Sequence, residues 1–219
     1  MNAVWPWIAV AGLGAYHGID PSMGWLFAVA LGLQEHSRSR LLRSLIPIAL
    51  GHLASIAVVV ALFAWAQWLI DPDFVRWGGA AILILFGVFR ALRPHAHPRW
   101  VKMRVGALDL MLWSFLMASA HGAGLMLFPI LISIPTCAPL AAGHLAHQHM
   151  MNFGPVPLSP LGALLVVLVH TGATLAMMGA IAIIVYDRVG LKILRSAWIN
   201  LDTVWAGALV AAGLLSLAL

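Results

Sequence analysis

The chain alternates long apolar runs with short polar interruptions. Six runs stand out: Trp5 to Leu33, Leu45 to Leu69, Trp77 to Leu92, Val105 to Ile134, Leu161 to Tyr186 and Trp198 to Leu219. About 20 apolar residues cross a bilayer as a helix, so the pattern predicts six transmembrane helices in a single domain over 1–219. Between them lie a basic loop at 35–43, the turn Asp71-Pro72-Asp73, a second basic loop at 90–104, an uncharged loop at 135–160 and a third basic loop at 187–195. Proline and aspartate favour a turn over continued helix at 71–73.

Two of the runs are interrupted from within. The first carries Tyr16-His17-Gly18-Ile19-Asp20-Pro21-Ser22-Met23-Gly24-Trp25, and the fourth a weaker echo, Ala120-His121-Gly122-Ala123-Gly124. Glycine is a poor helix former, and proline lacks the amide donor and clashes with the preceding turn. Helices one and four are therefore expected to break at membrane depth. Broken backbone is tolerated there only where it is buried in protein or lines a wet cavity.

Composition agrees with the pattern. The chain is 63% hydrophobic and 9% charged, against about 25% charged for a soluble domain. This is an integral membrane protein by composition. The formal net charge of +5 reads as topology rather than nucleic-acid binding. With six spans, Arg76 stands alone against the other eleven of twelve lysines and arginines, which share one side. By the positive-inside rule that side is cytoplasmic, which leaves both termini non-cytoplasmic in a bacterial-type inner (plasma) membrane. Met1 to Val10 carries no basic region of a cleavable signal peptide. A lone cysteine, Cys137, excludes an intrachain disulfide and a paired-cysteine redox relay.

The two halves echo each other in order. His17-Gly18 matches His121-Gly122, Gly51-His52-Leu53-Ala54-Ser55 matches Val169-His170-Thr171-Gly172-Ala173, and Trp77-Gly78-Gly79-Ala80 matches Trp205-Ala206-Gly207-Ala208. This implies a repeat of three spans, about 1–93 and 105–219. An odd number of spans per half turns the halves upside down relative to each other, and such inverted repeats place a site where their broken helices meet. His17, His52, His121 and His170 are then expected to converge near the midplane, with Asp20 beside them.

Ionisable groups inside spans are costly and face the bundle interior or a cavity. The plain reading of the four histidines is interhelical hydrogen bonding. The functional one is a transition-metal site, since imidazole suits Ni, Co, Zn and Cu whereas Mg and Ca prefer oxygen. Asp20, three residues from His17, could orient that ring or bind the ion, or cap the half-helix that opens with Pro21. Asp109 lies near the cytoplasmic edge. Cys137, His144, His147 and His149 could capture a metal in the external loop, or be a solvated segment. His95 and His97 form a weaker cytoplasmic pair. The tryptophans read mostly as interfacial anchors, and the glycines and alanines of spans three and six as close-packing positions. No H-E-x-x-H, G-x-S-x-G or glycine-rich phosphate loop is present.

A histidine-acid-proline break in span one, a Gly-His inside span two and a repeated three-span half resemble the lysine-exporter superfamily of small membrane transporters. The nearest likeness is to its nickel/cobalt transporter and urease- or hydrogenase-accessory branch. His17 and Asp20 match the first motif and Gly51-His52 the second; the denser His-Ala-x-Asp-Ala-Asp-His form of the nickel/cobalt families is reduced here to one histidine and one aspartate. The resemblance implies a secondary transporter of a small cation, a transition metal such as nickel or cobalt, rather than an enzyme. The alternative from another class is a membrane-embedded metalloenzyme or metal-delivery accessory using the same histidines. The expected partners are the lipid bilayer and a metal ion or small solute, with no nucleic acid and with a homo-oligomer left open.

Overall fold

The computed structural model describes residues 4–92, 106–131, 159–189 and 201–218, and among these the chain is helical with no strand. The helices are α1 (Trp5–Ile19), α2 (Trp25–Gln34), α3 (Arg38–Leu69), α4 (Pro72–Leu92), α5 (Ala107–Ala120), α6 (Phe128–Leu131), α7 (Pro160–Ile184) and α8 (Leu201–Ala218). Single 3-10 turns at Pro21–Met23 and Leu125–Leu127 sit inside the two interruptions, and a π turn at Val185–Val189 extends α7.

Three helical stretches are long and apolar enough to cross a membrane: Arg38–Ala66, Asp73–Leu92 and Pro160–Arg188. A fourth arises if Ala107–Ala120 and Leu125–Leu131, bent by 48° at their break, count as one span. The first apolar run is divided into α1, of 15 residues, and α2, of 10. Neither reaches the ~20 residues of a full crossing alone. The surface is that of a membrane protein: large apolar side chains such as Trp65, Phe74, Leu85 and Leu92 face outward, while four histidines and an aspartate are buried. That inverts the usual distribution in water.

Local chemistry sets the helix ends. Ser37 caps α3 by accepting from the Arg40 amide at 3.2 Å, so α3 begins at Arg38 and the expected basic loop is helical from there. Asp71 accepts from the Asp73 amide at 2.9 Å, closing the turn before α4, which starts at Pro72 rather than Trp77. Asp109 caps α5 through the Gly106 amide at 2.9 Å; it is exposed and structural.

Packing is organised in three principal pairs: α1 with α7, α3 with α5, and α4 with α8. Glycines make each pair close. Gly14 and Gly18 lie against the His170 and Thr174 carbonyls of α7, and Gly51 lies against the Met111 carbonyl of α5. Gly87 of α4 abuts Ala206 and Val210, while Gly213 of α8 abuts Ala80 and Ile84. Small residues let backbones approach closely, the usual basis of helix association in membranes. Ser55 adds a 2.9 Å hydrogen bond to Ser119 across α3 and α5.

Candidate functional site

The first break keeps its backbone satisfied. Asp20 leaves the helix with ψ 121°, and its Oδ1 accepts from the Ser22 amide at 2.8 Å. Gly24 takes φ 119°, a left-handed conformation that favours glycine. Two carbonyls at the break are met by indoles: Trp25 donates to Ile19 at 3.1 Å and Trp113 donates to Ser22 at 3.2 Å. In an apolar surrounding each such group must find a partner within the protein. Trp25 and Trp113 therefore fasten the break and are not interfacial anchors.

The second break follows the same plan. Gly122 takes φ 68° and packs against Phe86 and Leu209. His17 and His121 occupy matching places, each donating Nδ1–H to the carbonyl four residues back. His17 donates to Leu13 at 2.9 Å and His121 to Met117 at 2.8 Å. The tautomer is thereby set, with Nε2 the acceptor in either neutral ring.

Three of the expected histidines meet. The ring centroids of His17 and His170 are 5.0 Å apart, those of His52 and His170 5.7 Å, and those of His17 and His52 5.9 Å. All three are 0% exposed. They arrive from α1, α7 and α3, with Gly14 and Gly18 bringing α1 close against α7 beside His170. Neither nitrogen of His52 or of His170 has a hydrogen-bond partner among the described residues. The Val10 carbonyl approaches His170 without reaching hydrogen-bond geometry.

His121 turns elsewhere. Its Nε2 lies 3.5 Å from Ser22 Oγ and 3.9 Å from Asp20 Oδ2. Asp20 is 3% exposed and His121 1%. The aspartate thus faces the histidine of the second break, not His17, because the break carries it off the face that the spacing of three presumes. Its capping role and its place in a polar cluster coexist. Ser22, Trp25 and Trp113 are the contributors that sequence reading did not single out.

The triad lies at the seam of two buried apolar clusters. On α3, His52 stands between Ile48 of one cluster and Ile56 of the other; on α7, His170 stands between Val166 and Met178. Among the described residues, no group of three or more His, Cys, Asp or Glu is arranged to hold a metal ion. The ring planes give the reason. His52 and His170 are stacked at 8°, and in-plane lone pairs of stacked parallel rings do not meet at one point. Sharing an ion requires one imidazole to turn about its Cβ–Cγ bond. Cys137, His144, His147 and His149, like His95 and His97, lie outside the described residues.

Compared with protein-family models, curated proteins and solved structures, the chain gives no match.

Proposed function

We propose that the chain is a secondary transporter that passes a small transition-metal cation, of the class that includes nickel and cobalt, through His17, His52 and His170. His121 and Asp20 form the adjoining polar station. The observation that carries this reading is His52, buried with two ring nitrogens that make no hydrogen bond among the described residues. Histidines that glue helices together do so by hydrogen-bonding across them, and His52 does not. Imidazole lone pairs gathered in an apolar interior instead suit a borderline-soft cation.

The proposal includes six spans in an inverted repeat, both termini outside the cytoplasm of a bacterial-type inner membrane. The helix pairing supports it. A two-fold axis relating the halves exchanges α1 with α5, α3 with α7 and α4 with α8. It therefore maps the α1–α7 pair onto α5–α3 and the α4–α8 pair onto itself, and these are the pairs that form. The alternative of a metalloenzyme or delivery accessory is favoured by one feature, the apolar clusters on both sides of the triad.

Flux separates the two. Proteoliposomes of wild type and His17→Ala are assayed for nickel, cobalt, zinc and copper uptake, with bound metal measured by mass spectrometry. Transport expects flux in wild type and its loss in the variant. Bound metal without flux moves the assignment to the enzyme or accessory, and neither bound metal nor flux returns the histidines to a structural role.

A further inference from the structure

The contact between α4 and α8 is reciprocal. Gly87 of α4 lies against the Ala206 carbonyl and Val210, and Gly213 of α8 lies against the Ala80 carbonyl and Ile84. Ala80, Leu83 and Arg90 are buried on one helix, and Ala206, Leu209 and Ser216 on the other. A two-fold axis beside the pair produces such an exchange. It matches Gly87 with Gly213, two residues off the register of Trp77 and Trp205. In the repeat read from the sequence, the same axis exchanges His52 with His170 and His17 with His121. The stacked pair of His52 and His170 is then its own counterpart, and a third imidazole reaches it on equal terms from either break.

The two breaks use that equivalence unequally. His17 and His121 make the same local bond to the carbonyl four residues back, and a glycine follows each. Their surroundings differ. His17 stands 5.0 Å from His170 and 5.9 Å from His52, ring centre to ring centre, whereas His121 Nε2 faces Ser22 and Asp20 of the other break. Gly18 lies against the Thr174 carbonyl and Met177 of α7, while Gly122 lies against Leu209 of α8 and Phe86 of α4. Alike sequences in unlike places describe one of two arrangements that an inverted repeat supports, and transporters of this plan alternate between such arrangements around a fixed site. Resting on the transport reading and inverted repeat above, we infer that the halves exchange roles in a second conformation. There His121 meets His52 and His170, and His17 withdraws. His121 is thus the third imidazole of the site in that state, which carries the opening from one membrane face to the other. The sequence favours the arrangement seen here, because Ser22 and Asp20 hold His121 while their counterparts, Met126 and Gly124, offer His17 no polar side chain.

Distances between spin labels test the exchange without any ligand. The full chain is placed in nanodiscs in a Cys137→Ser background and labelled at two pairs of sites that the axis interchanges. One pair is Gly12→Cys with Leu85→Cys, the other Leu116→Cys with Ala211→Cys, and all four positions are exposed. Pulsed electron–electron resonance should give two distances in each pair, the minor distance of one equal to the major distance of the other. Ser22→Ala keeps the amide bond to Asp20 and should raise the minor population about fivefold. A single distance in each pair, distances that the pairs do not share, or populations that Ser22→Ala leaves unchanged overturn the inference. In proteoliposomes, His121→Ala should lose nickel and cobalt flux as fully as His17→Ala. Flux retained in His121→Ala overturns the inference and leaves the transport reading standing. Shared distances in a wild type that moves no cation keep the exchange and overturn the transport reading alone.

Discussion

A buried polar group without a hydrogen bond costs its desolvation, on the order of 1–3 kcal/mol, and His52 carries two such nitrogens at 0% exposure. Leucine has a similar volume and no polar atom. His52→Leu is therefore expected to raise the unfolding free energy by about 1–3 kcal/mol while abolishing cation flux. A reversible denaturant titration in detergent beside a proteoliposome assay checks both halves. A variant that loses stability would return His52 to the role of interhelical glue. Asp20 separates capping from function in a different way. Asp20→Asn keeps an oxygen for the Ser22 amide and should fold normally. Asp20→Ala loses the cap, at a cost of about 0.5–2 kcal/mol, and both variants should lose flux because the carboxylate facing His121 is gone. Equal stability of the two variants in the same titration would deny the cap its role. At this scale the four buried histidines are legible, since an ionisable group within an apolar run stands out from composition alone, but that three of them meet while His121 turns to Asp20 is not. Nor is the partner of Asp20: a spacing of three presumes a continuous helix, and at ψ 121° the chain has left it. The indoles of Trp25 and Trp113 were hidden for a related reason, because the carbonyls they serve exist only once the break has formed.

At the scale of the element, the glycines divide into those that another backbone touches and those that face open space. A Cβ at Gly51 meets the Met111 carbonyl, and one at Gly14 meets the His170 carbonyl, whereas Gly12 and Gly172 have nothing within 4 Å. Backbone cannot swing aside as a side chain can. Gly51→Ala and Gly14→Ala should each cost about 1–3 kcal/mol through helix separation, and Gly14→Ala, which parts α1 from α7, should also separate His17 from His170. Gly12→Ala and Gly172→Ala should gain up to about 1 kcal/mol from helix propensity. Thermal unfolding of the four variants side by side checks the division, and a uniform response would remove the close contacts as its cause. The sequence marks the breaks well because glycine and proline act locally, at Gly18, Pro21 and Gly24. It marks helix starts less well. Apolar counting begins span two at Leu45, but a helix propagates through Arg38, Arg40 and Arg43 as readily as through leucine once Ser37 has capped it. Which glycines carry the packing is decided by the partner helix, and the sequence alone does not name that partner.

For the whole molecule, the outward apolar surface and the buried histidines require a bilayer around the bundle, and charge decides which way the bundle faces. In the described part, the ion pairs Arg38–Asp187 at 3.4 Å and Arg40–Glu35 at 3.1 Å gather the start of α3, the end of α2 and the end of α7. Arg76, by contrast, sits with Asp73 at 3.9 Å at the opposite turn of α3 and α4. Helix α3 has 32 residues, about 48 Å at 1.5 Å per residue, so these two groups of charge lie at opposite ends of a helix longer than the ~30 Å core of a bilayer. The segregation of basic residues read from the loops thus has a counterpart in the helices. The orientation proposed above from the positive-inside rule is testable without reference to any ligand. An alkaline phosphatase fused after Leu219 or at the Asp71 turn should be active, and a fluorescent protein at either place dark. Fusions after Arg40 or Arg188 should give the reverse. The alternation across four sites is the informative result, because a chain with five or seven spans would put Leu219 on the same side as Arg188 or break the sequence of signals elsewhere. Removing charge should loosen the orientation: replacing Arg38, Arg40 and Arg43 together by glutamine should produce a mixed population on both reporters. A mixed population already present in the wild type would instead indicate dual insertion, which would set the histidine site facing both ways in one membrane.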